Sequence, residues 1–432
     1  MGLLRVGKTQ QRPLPGGVTV MRSSLRLVTC RAALRGAAVA TEFMQGRSSL
    51  VTKRRATTTN LVRPAEVWGG PMPEKVGSAP LDWESLGFDY VPTKSHIRFT
   101  WKNGEWNSGH TFRDPYLPVH MLANVFHYGQ ALFEGFKGFH TQKGDVCLFA
   151  DKLSWERMNH GCRRFRIPEV PAQVWDRGVH DTVKDNIGYV PPYGSNGALY
   201  VRPFIFGSGP RLGLGPSPEY TFVVFVNPVG SYYKNDSGAM QALDGLVNDS
   251  YDRAAPLGCG DCKAAGNYAA DLESMYMSKR QGYPISLYLD AVERRYVEEF
   301  NTSNFVAITK DGRYLTPDAP RSVLNSNTNK VLQKLAADMD IKVECRRIDF
   351  EAEVDTFAEV GAVGTAVVVT PIRSLTRGDR TWSFQEPNVL RRLRDRVRAI
   401  QNGEAEDTHE WMRRVQLEDQ PPQSFLSVYP GL

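Results

Sequence analysis

The segment Asp261-Cys262-Lys263-Ala264-Ala265-Gly266-Asn267-Tyr268 decides how the chain is read. Small residues follow Lys263, so a flat ligand can approach its amine, and Gly266 lets the backbone come close. Lysine forms Schiff bases when burial or neighbouring charge lowers its pKa and makes the amine nucleophilic. Taken alone, the segment also reads as a solvated lysine ahead of a helix. Its surroundings decide between the two.

Glu299 ends a strand and leads into Phe300-Asn301-Thr302-Ser303-Asn304-Phe305. A fixed carboxylate beside a pyridine nitrogen keeps that nitrogen protonated, and the cationic ring then acts as an electron sink. Glu298 and Glu299 are neighbours, so on a strand only one of them faces inward. A solvent-facing pair is the alternative. Ser326-Asn327-Thr328 opens a helix, where free amides and the helix dipole suit a phosphate. An ordinary N-cap would look the same locally. Gly364-Thr365-Ala366 precedes a buried strand; it offers a hydroxyl and amides to an anion, or is a tight turn.

The chain has 432 residues, 41% hydrophobic and 23% charged, which is the profile of a globular protein. No apolar run reaches the ~18–20 residues of a membrane-spanning helix. The net charge is +6, yet residues 1–60 hold eleven basic side chains against Glu42 alone, which leaves the rest near −4. The basic balance is therefore no argument for nucleic acid. The Arg, Ser, Thr and Ala-rich segment 1–60 reads as an organelle transit peptide, mitochondrial matrix first and plastid second.

Residues 61–229 form a first domain with an extended proline-rich arm, 230–242 an interdomain loop, and 243–432 a larger second domain. Strands are expected at His96–Trp101, Ala198–Phe206, Tyr220–Val226, Ser286–Asp290, Arg294–Glu298, Lys342–Ile348 and Ala366–Pro371. Helices are expected at Lys152–Phe165, Tyr268–Arg280, Thr328–Met339, Asp355–Glu359 and Val389–Asn402. Asp311-Gly312 joins Phe305–Lys310 to Arg313–Thr316 as a hairpin. The six cysteines include Cys259-Gly-Asp-Cys262, which has redox or zinc spacing. A zinc site needs a further pair of ligands, and none has comparable spacing, so no metal is expected. Gly207-Ser208-Gly209 and Gly213-Leu214-Gly215 fit neither a P-loop nor a dinucleotide fingerprint.

Several segments follow one another in a familiar order. They are His127-Tyr128-Gly129-Gln130-Ala131-Leu132-Phe133-Glu134-Gly135-Phe136-Lys137, Glu156-Arg157-Met158, Leu199-Tyr200-Val201-Arg202-Pro203 and Pro228-Val229-Gly230-Ser231-Tyr232. Lys263 to Tyr268, Glu299 to Asn304 and Gly364-Thr365-Ala366 complete the series. From about residue 120 to the C-terminus the chain resembles the fold-type-IV pyridoxal-phosphate aminotransferases, and within them the branched-chain amino acid aminotransferases. The resemblance implies an α/β (α+β) fold of two domains, a smaller N-terminal α/β domain and a larger C-terminal pseudo-barrel domain. It implies pyridoxal 5′-phosphate as cofactor, branched-chain amino acids and 2-oxoglutarate as small-molecule substrates, and a homodimer.

The resemblance also assigns roles. Lys263 is the Schiff-base lysine, Tyr268 the phenol on the ring's 3-oxygen, and Glu299 the partner of the pyridine nitrogen. Arg157, the amides of Asn327 and Thr328, and Thr365 bind the phosphate. Tyr128, Phe133, Tyr200, Arg202 and the Thr365–Ala366 turn line the substrate pocket, with Arg202 for the side-chain carboxylate of glutamate. Leu214 belongs to a loop that reaches the partner's pocket. Two departures stand out. Leu324-Asn325-Ser326-Asn327-Thr328 replaces the family's Leu-Pro-Gly and β-branched pair. Val367 and Thr370 occupy positions where some animal relatives carry a redox cysteine pair, so that switch is expected to be absent. A D-amino acid aminotransferase or aminodeoxychorismate lyase would share the fold; Phe133 to Lys137 with Tyr200-Val201-Arg202 favours the branched-chain group.

Overall fold

The computed structural model describes residues 74–230 and 241–417. The transit peptide expected at 1–60, most of the interdomain loop expected at 230–242 and the end of the domain expected at 243–432 lie outside the described residues. The described chain is carried by two nine-stranded sheets.

The first sheet runs in the order Met412–Arg414, Val146–Phe149, Phe136–His140, Ala198–Gly207, Glu219–Val229, His96–Lys102 and Glu105–Trp106. Its centre is the long antiparallel pair Ala198–Gly207 and Glu219–Val229, in unbroken register from Ala198↔Val229 to Gly207↔Tyr220. The short strand Ala131–Phe133 pairs off this path with Ala198–Gly207. The helix Ala172–Asp185 packs on this sheet and is missing from the sequence reading. Its buried Ala172, Trp175, Val179, Thr182 and Val183 do repeat at helical spacing. Trp175 is fully buried, with its ring stacked on Phe222 at 6.1 Å.

In the second sheet six strands close into a ring. Leu243–Asn248, Ile285–Leu289, Val297–Phe300, Asn304–Thr309, Phe357–Gly364 and Val368–Arg377 pair in that order, and the last returns parallel to the first. Closure comes at Glu299↔Asn304, where the chain turns tightly through 301–303. Every residue of Ile285–Leu289, Val297–Phe300 and Asn304–Thr309 is buried. Strands covered on both faces show no in–out alternation, so polar residues such as Glu298, Glu299 and Asn304 are buried among the apolar ones and need partners there. One core gathers Leu287, Phe300, Phe305, Phe350 and Phe357. Another gathers Val331, Leu332, Leu335, Leu390, Leu393 and Val397 from the helices Asn327–Asp338 and Val389–Gln401. No helix among the described residues is long and apolar enough to cross a membrane.

Four elements differ from expectation. The strand expected at Arg294–Glu298 starts at Val297, because the Asp290 carboxylate gathers the amides of Val292, Glu293, Arg295 and Tyr296 into a turn. The expected helix Asp355–Glu359 is a one-turn 3₁₀ segment followed by the strand Phe357–Gly364. Glu359 faces the next helix instead, where its carboxylate accepts from the amides of Asn388, Val389 and Leu390. The expected helix Tyr268–Arg280 is two helices, Ala265–Ala270 and Leu272–Arg280, broken at Asp271, whose carboxylate takes the Tyr288 hydroxyl. The strand expected at Ala366–Pro371 begins at Val368 and runs to Arg377. Finally, Met412–Arg414 leaves the second sheet's neighbourhood and pairs with Val146–Phe149. The buried Arg413 pins it there through Asp151 and Asp176, both at 2.6 Å.

Candidate active site

Ala131–Phe133 lies against the segment that carries Lys263. Leu132 forms a β-bridge with Ala264, and the Phe133 amide donates to the Lys263 carbonyl at 3.1 Å. This fixes the lysine backbone to the first sheet, while Glu299 comes from the closing strand of the second. Between them is a cavity of about 360 Å³, in the range of small-ligand sites. Its wall includes Phe133, Arg157, Tyr200, Arg202, Lys263, Tyr268, Glu299, Thr365 and Ala366, nine of the residues singled out by sequence.

The Lys263 amine donates to the Tyr268 hydroxyl at 2.8 Å. It sits 4.8 Å from the centre of the Phe133 ring, and the Arg202 guanidinium sits at the same distance from that ring. Both basic side chains thus lie within cation–π range of the one Phe133 ring. Arg202 also donates to the Tyr200 hydroxyl at 3.3 Å, and its buried Nε has no hydrogen-bond partner among the described residues. Gly135 is required here: a Cβ on it would meet the Tyr200 hydroxyl at 1.7 Å. Gly266, by contrast, is exposed, and a Cβ there meets nothing within 4 Å. Close approach is therefore not the reason for that glycine, because it lies on the open side of the short helix Ala265–Ala270.

Glu299 is buried and fully engaged. Its carboxylate pairs with Arg253 at 3.0 Å and accepts from the Leu324 amide at 3.0 Å and from Asn304 Nδ2 at 2.8 Å. Burial pushes its pKa above the usual carboxylate value, opposed chiefly by Arg253. Burial also works against the Arg253 charge, but Glu299 and neighbouring acidic groups more than offset it and leave the guanidinium above its ordinary value. Strand alternation turns Glu298 the other way, yet it too is buried, held by the Ser322 hydroxyl. The solvent-facing alternative for the pair does not occur. Burial lifts the Glu298 carboxyl to about 7.

Arg157 enters from the helix Asp151–Phe165. The buried Glu134 grips it at both ends of a fork, Nε at 2.7 Å and Nη2 at 2.8 Å, and Nη1 donates to the Asn325 carbonyl at 3.1 Å. Burial disfavours its charge, but Glu134 reverses the effect and raises the pKa. Next to it Ser326 caps the helix Asn327–Asp338, accepting from the Asn329 amide at 3.2 Å.

Three expected residues stand outside the cavity wall. Asn327 and Thr328 are buried at the first turn of that helix, and Asn327 Nδ2 donates to the Ser154 hydroxyl at 3.0 Å. Ser326 and Leu324 line the cavity in their place. Tyr128 is exposed, and its hydroxyl donates to the Leu212 carbonyl, tying it to the loop that carries the exposed Leu214.

The sequence reading missed Arg253, Glu134, Phe88, Asn304 and Lys137. Arg253 lies in an irregular stretch with no periodicity to mark it. Glu134 lies within a quoted segment, but only folding shows that it faces Arg157. Phe88 comes from the extended arm and meets Tyr200 edge-on at 5.9 Å. Lys137 donates to the Ala366 carbonyl at 2.7 Å and so holds the Thr365–Ala366 turn. Burial, with Arg398 nearby, lowers its pKa to about 7.

An amine on a phenol, a buried carboxylate and a paired arginine surround one cavity beside a closed barrel, and that is the framework of fold-type-IV pyridoxal-phosphate enzymes. The profile of the class IV amino-transferases matches residues 131–375. A branched-chain-amino-acid aminotransferase of Helicobacter pylori is 38% identical over 337 residues, 78% of this chain and 98% of that protein. Branched-chain-amino-acid aminotransferase 5, chloroplastic, of Arabidopsis thaliana is 34% identical over 77% of this chain and 80% of its own length. The crystal structure of the Escherichia coli branched-chain amino acid aminotransferase matches with a TM-score of 0.60 and 26% identity, over 74% of this chain and 99% of that one. The chain belongs to the class IV amino-transferase family, enzymes that use pyridoxal 5′-phosphate.

The residues present fit that cofactor. Its phosphate needs cationic and hydroxyl donors, which Arg157, Ser326 and Thr365 bring. Its ring nitrogen needs a carboxylate that does not drift, and three donors immobilise Glu299. Its aldehyde needs a primary amine, which Lys263 supplies.

Proposed function

We propose that the protein transfers the amino group of L-leucine, L-isoleucine or L-valine to 2-oxoglutarate, giving branched-chain 2-oxo acids and L-glutamate. The observation that carries this reading is the Lys263 amine, hydrogen-bonded to Tyr268 in a cavity that also holds buried Glu299 and paired Arg157. Helicobacter and Arabidopsis relatives bear the names of branched-chain-amino-acid aminotransferases.

The bound cofactor supplies an aldehyde to receive the amino group and a protonated ring to take up negative charge. Lys263 would hold the cofactor's aldehyde carbon, and its amine, freed when the substrate's amino group takes its place, would take a proton from the substrate α-carbon and return it at that former aldehyde carbon, as base and then acid. Tyr268 orients that amine. Glu299, kept anionic by Arg253 and two neutral donors, holds a proton at the ring nitrogen. Arg157 and Thr365 take the phosphate, with the first turn at Asn327 and Thr328 adding its dipole. Phe133 and Tyr200 give an alkyl side chain an apolar wall, and Arg202 at its edge pairs a carboxylate when glutamate binds. One pocket then accepts both substrate classes without burying an unpaired charge.

The test is Lys263→Ala, followed by cofactor absorption with and without L-leucine and assay of the keto acid. The expected result is loss of the lysine-dependent absorption band and of turnover; persistence of both removes Lys263 from this role.

Exposed Leu212 and Leu214, with Met121 and Phe126, form an apolar surface beside Tyr128 that suits a second copy of the chain. We therefore read the protein as a homodimer in which Leu214 and Tyr128 complete the partner's pocket. The basic, acid-poor segment 1–60 supports delivery to an organelle, the mitochondrial matrix or the plastid.

A further inference from the structure

Cys262 precedes Lys263, and its surroundings serve no step of the reaction above. His160 Nε2 lies 2.7 Å from Asp261 Oδ2, and Cys262 Sγ lies 3.6 Å from Asp261 Oδ1. The three potential ligand atoms of His160, Asp261 and Cys262 all lie within 4.8 Å of one another. Bonds of zinc to sulfur, nitrogen and oxygen would place neighbouring donors ~3.4 Å apart in a tetrahedral site. The observed separations bracket that spacing, and His160 is half-exposed and able to turn.

One further observation points to a ligand. The cluster opens on a second cavity of about 360 Å³, lined by Glu156, His160 and Asp261, which gives an ion a path in from solvent and room for a water as fourth donor. The turn is also preorganised. The Cys262 amide donates to the Cys259 carbonyl at 3.0 Å, and both carbonyls accept from Asn267 Nδ2, at 2.9 and 3.0 Å. The spacing of Cys259 and Cys262 does not foretell this donor set, because its nitrogen ligand comes from a helix a hundred residues earlier.

We propose that His160, Asp261 and Cys262 form a binding site for a zinc-like divalent cation. Binding releases the Cys262 thiol proton to solvent and leaves neutral imidazole and two anionic donors on the metal. The site has a structural consequence. His160 stands one helical turn beyond Arg157, and Cys262 is bonded to Lys263, so one ion would clamp together the elements that carry the phosphate arginine and the reactive amine.

Full-length protein carrying its cofactor is stripped with a chelator and titrated with Zn²⁺ by calorimetry, and its zinc environment is read by X-ray absorption. The expected result is one ion per chain with a single sulfur neighbour at ~2.3 Å and nitrogen or oxygen at ~2.0–2.2 Å. His160→Ala should weaken binding at least ~10-fold, while Cys259→Ala should not; unchanged cofactor absorption shows that each variant is folded. Absence of stoichiometric binding overturns the proposal, as does full affinity in His160→Ala. Two sulfur neighbours, or loss of binding in Cys259→Ala, overturn this donor set in favour of the cysteine pair. None of these readouts depends on transaminase activity.

Discussion

Arg253→Leu isolates the contact on which the proposed electron sink would depend. In the wild type the guanidinium lies 3.0 Å from Glu299 Oε1, and both side chains are almost wholly buried. At an effective dielectric of ~20 that contact is worth roughly 5 kcal/mol of attraction. The Leu324 amide and Asn304 remain as donors to Glu299, so the net loss expected near neutral pH is about 3 kcal/mol, the low end for breaking a buried pair from one side. The pH dependence has a definite sign. Glu299 is already a weaker acid folded than unfolded, so its ionisation works against folding as pH rises. Without Arg253 its folded pKa climbs further. The variant should therefore fall away from the wild type as pH rises above the ordinary carboxylate range, and approach it in acid. A protonated Glu299 also presents no anion to the ring nitrogen, so kcat should drop by about tenfold or more, each tenfold being ~1.4 kcal/mol of barrier. The assay is the denaturation midpoint across pH with single-turnover rates for L-leucine. Adding Glu299→Gln to Arg253→Leu removes the stranded charge and should recover stability without recovering turnover. If the double variant is no more stable than the single one, or the loss is the same at every pH, the pair does not act as described.

Arg202→Ala should slow the half-reaction with 2-oxoglutarate far more than that with L-leucine; equal losses would contradict a pocket shared by acidic and alkyl side chains. Glu134→Gln strands the buried Arg157 charge and should cost the cofactor-free protein ~3 kcal/mol. The loaded protein should lose less, since phosphate replaces the missing anion, and denaturation midpoints of the two forms measure the difference. Lys137 is a weaker base folded than unfolded, so its protonation costs folding stability below its ordinary pKa, with the full cost reached below about pH 7. Lys137→Met should accordingly compare better with the wild type at mildly acidic pH than above about pH 9, measured by thermal midpoint.

Much of the site was legible because reactive chemistry leaves local marks. Lys263 among small residues, a carboxylate at a strand end and a hydroxyl at a helix start each stand out within a few positions. The hairpin at Asp311-Gly312 was legible for the same reason, since Gly312 adopts a positive φ of 85° that few residues tolerate. Legibility failed where burial overrode local preference. Phe357–Gly364 carries a helix-compatible start but is drawn into the barrel between two strands. The helix expected over Tyr268–Arg280 breaks where Asp271 meets Tyr288.

The order of chemical groups along the chain is set by sequence: the amine, its phenol five residues on, the carboxylate, and the turns at Ser326 and Gly364-Thr365-Ala366. Their periodicities and turn residues depend on neighbours only a few positions away, so one-dimensional reading reaches them. Only the tertiary structure decided which groups are neutralised. Glu134 meets Arg157 and Arg253 meets Glu299 across 23 and 46 positions. His160 meets Asp261 across 101 positions. Such pairings are set by how two sheets pack, because a buried charge must find a partner in space and leaves no local pattern recording where it will find one.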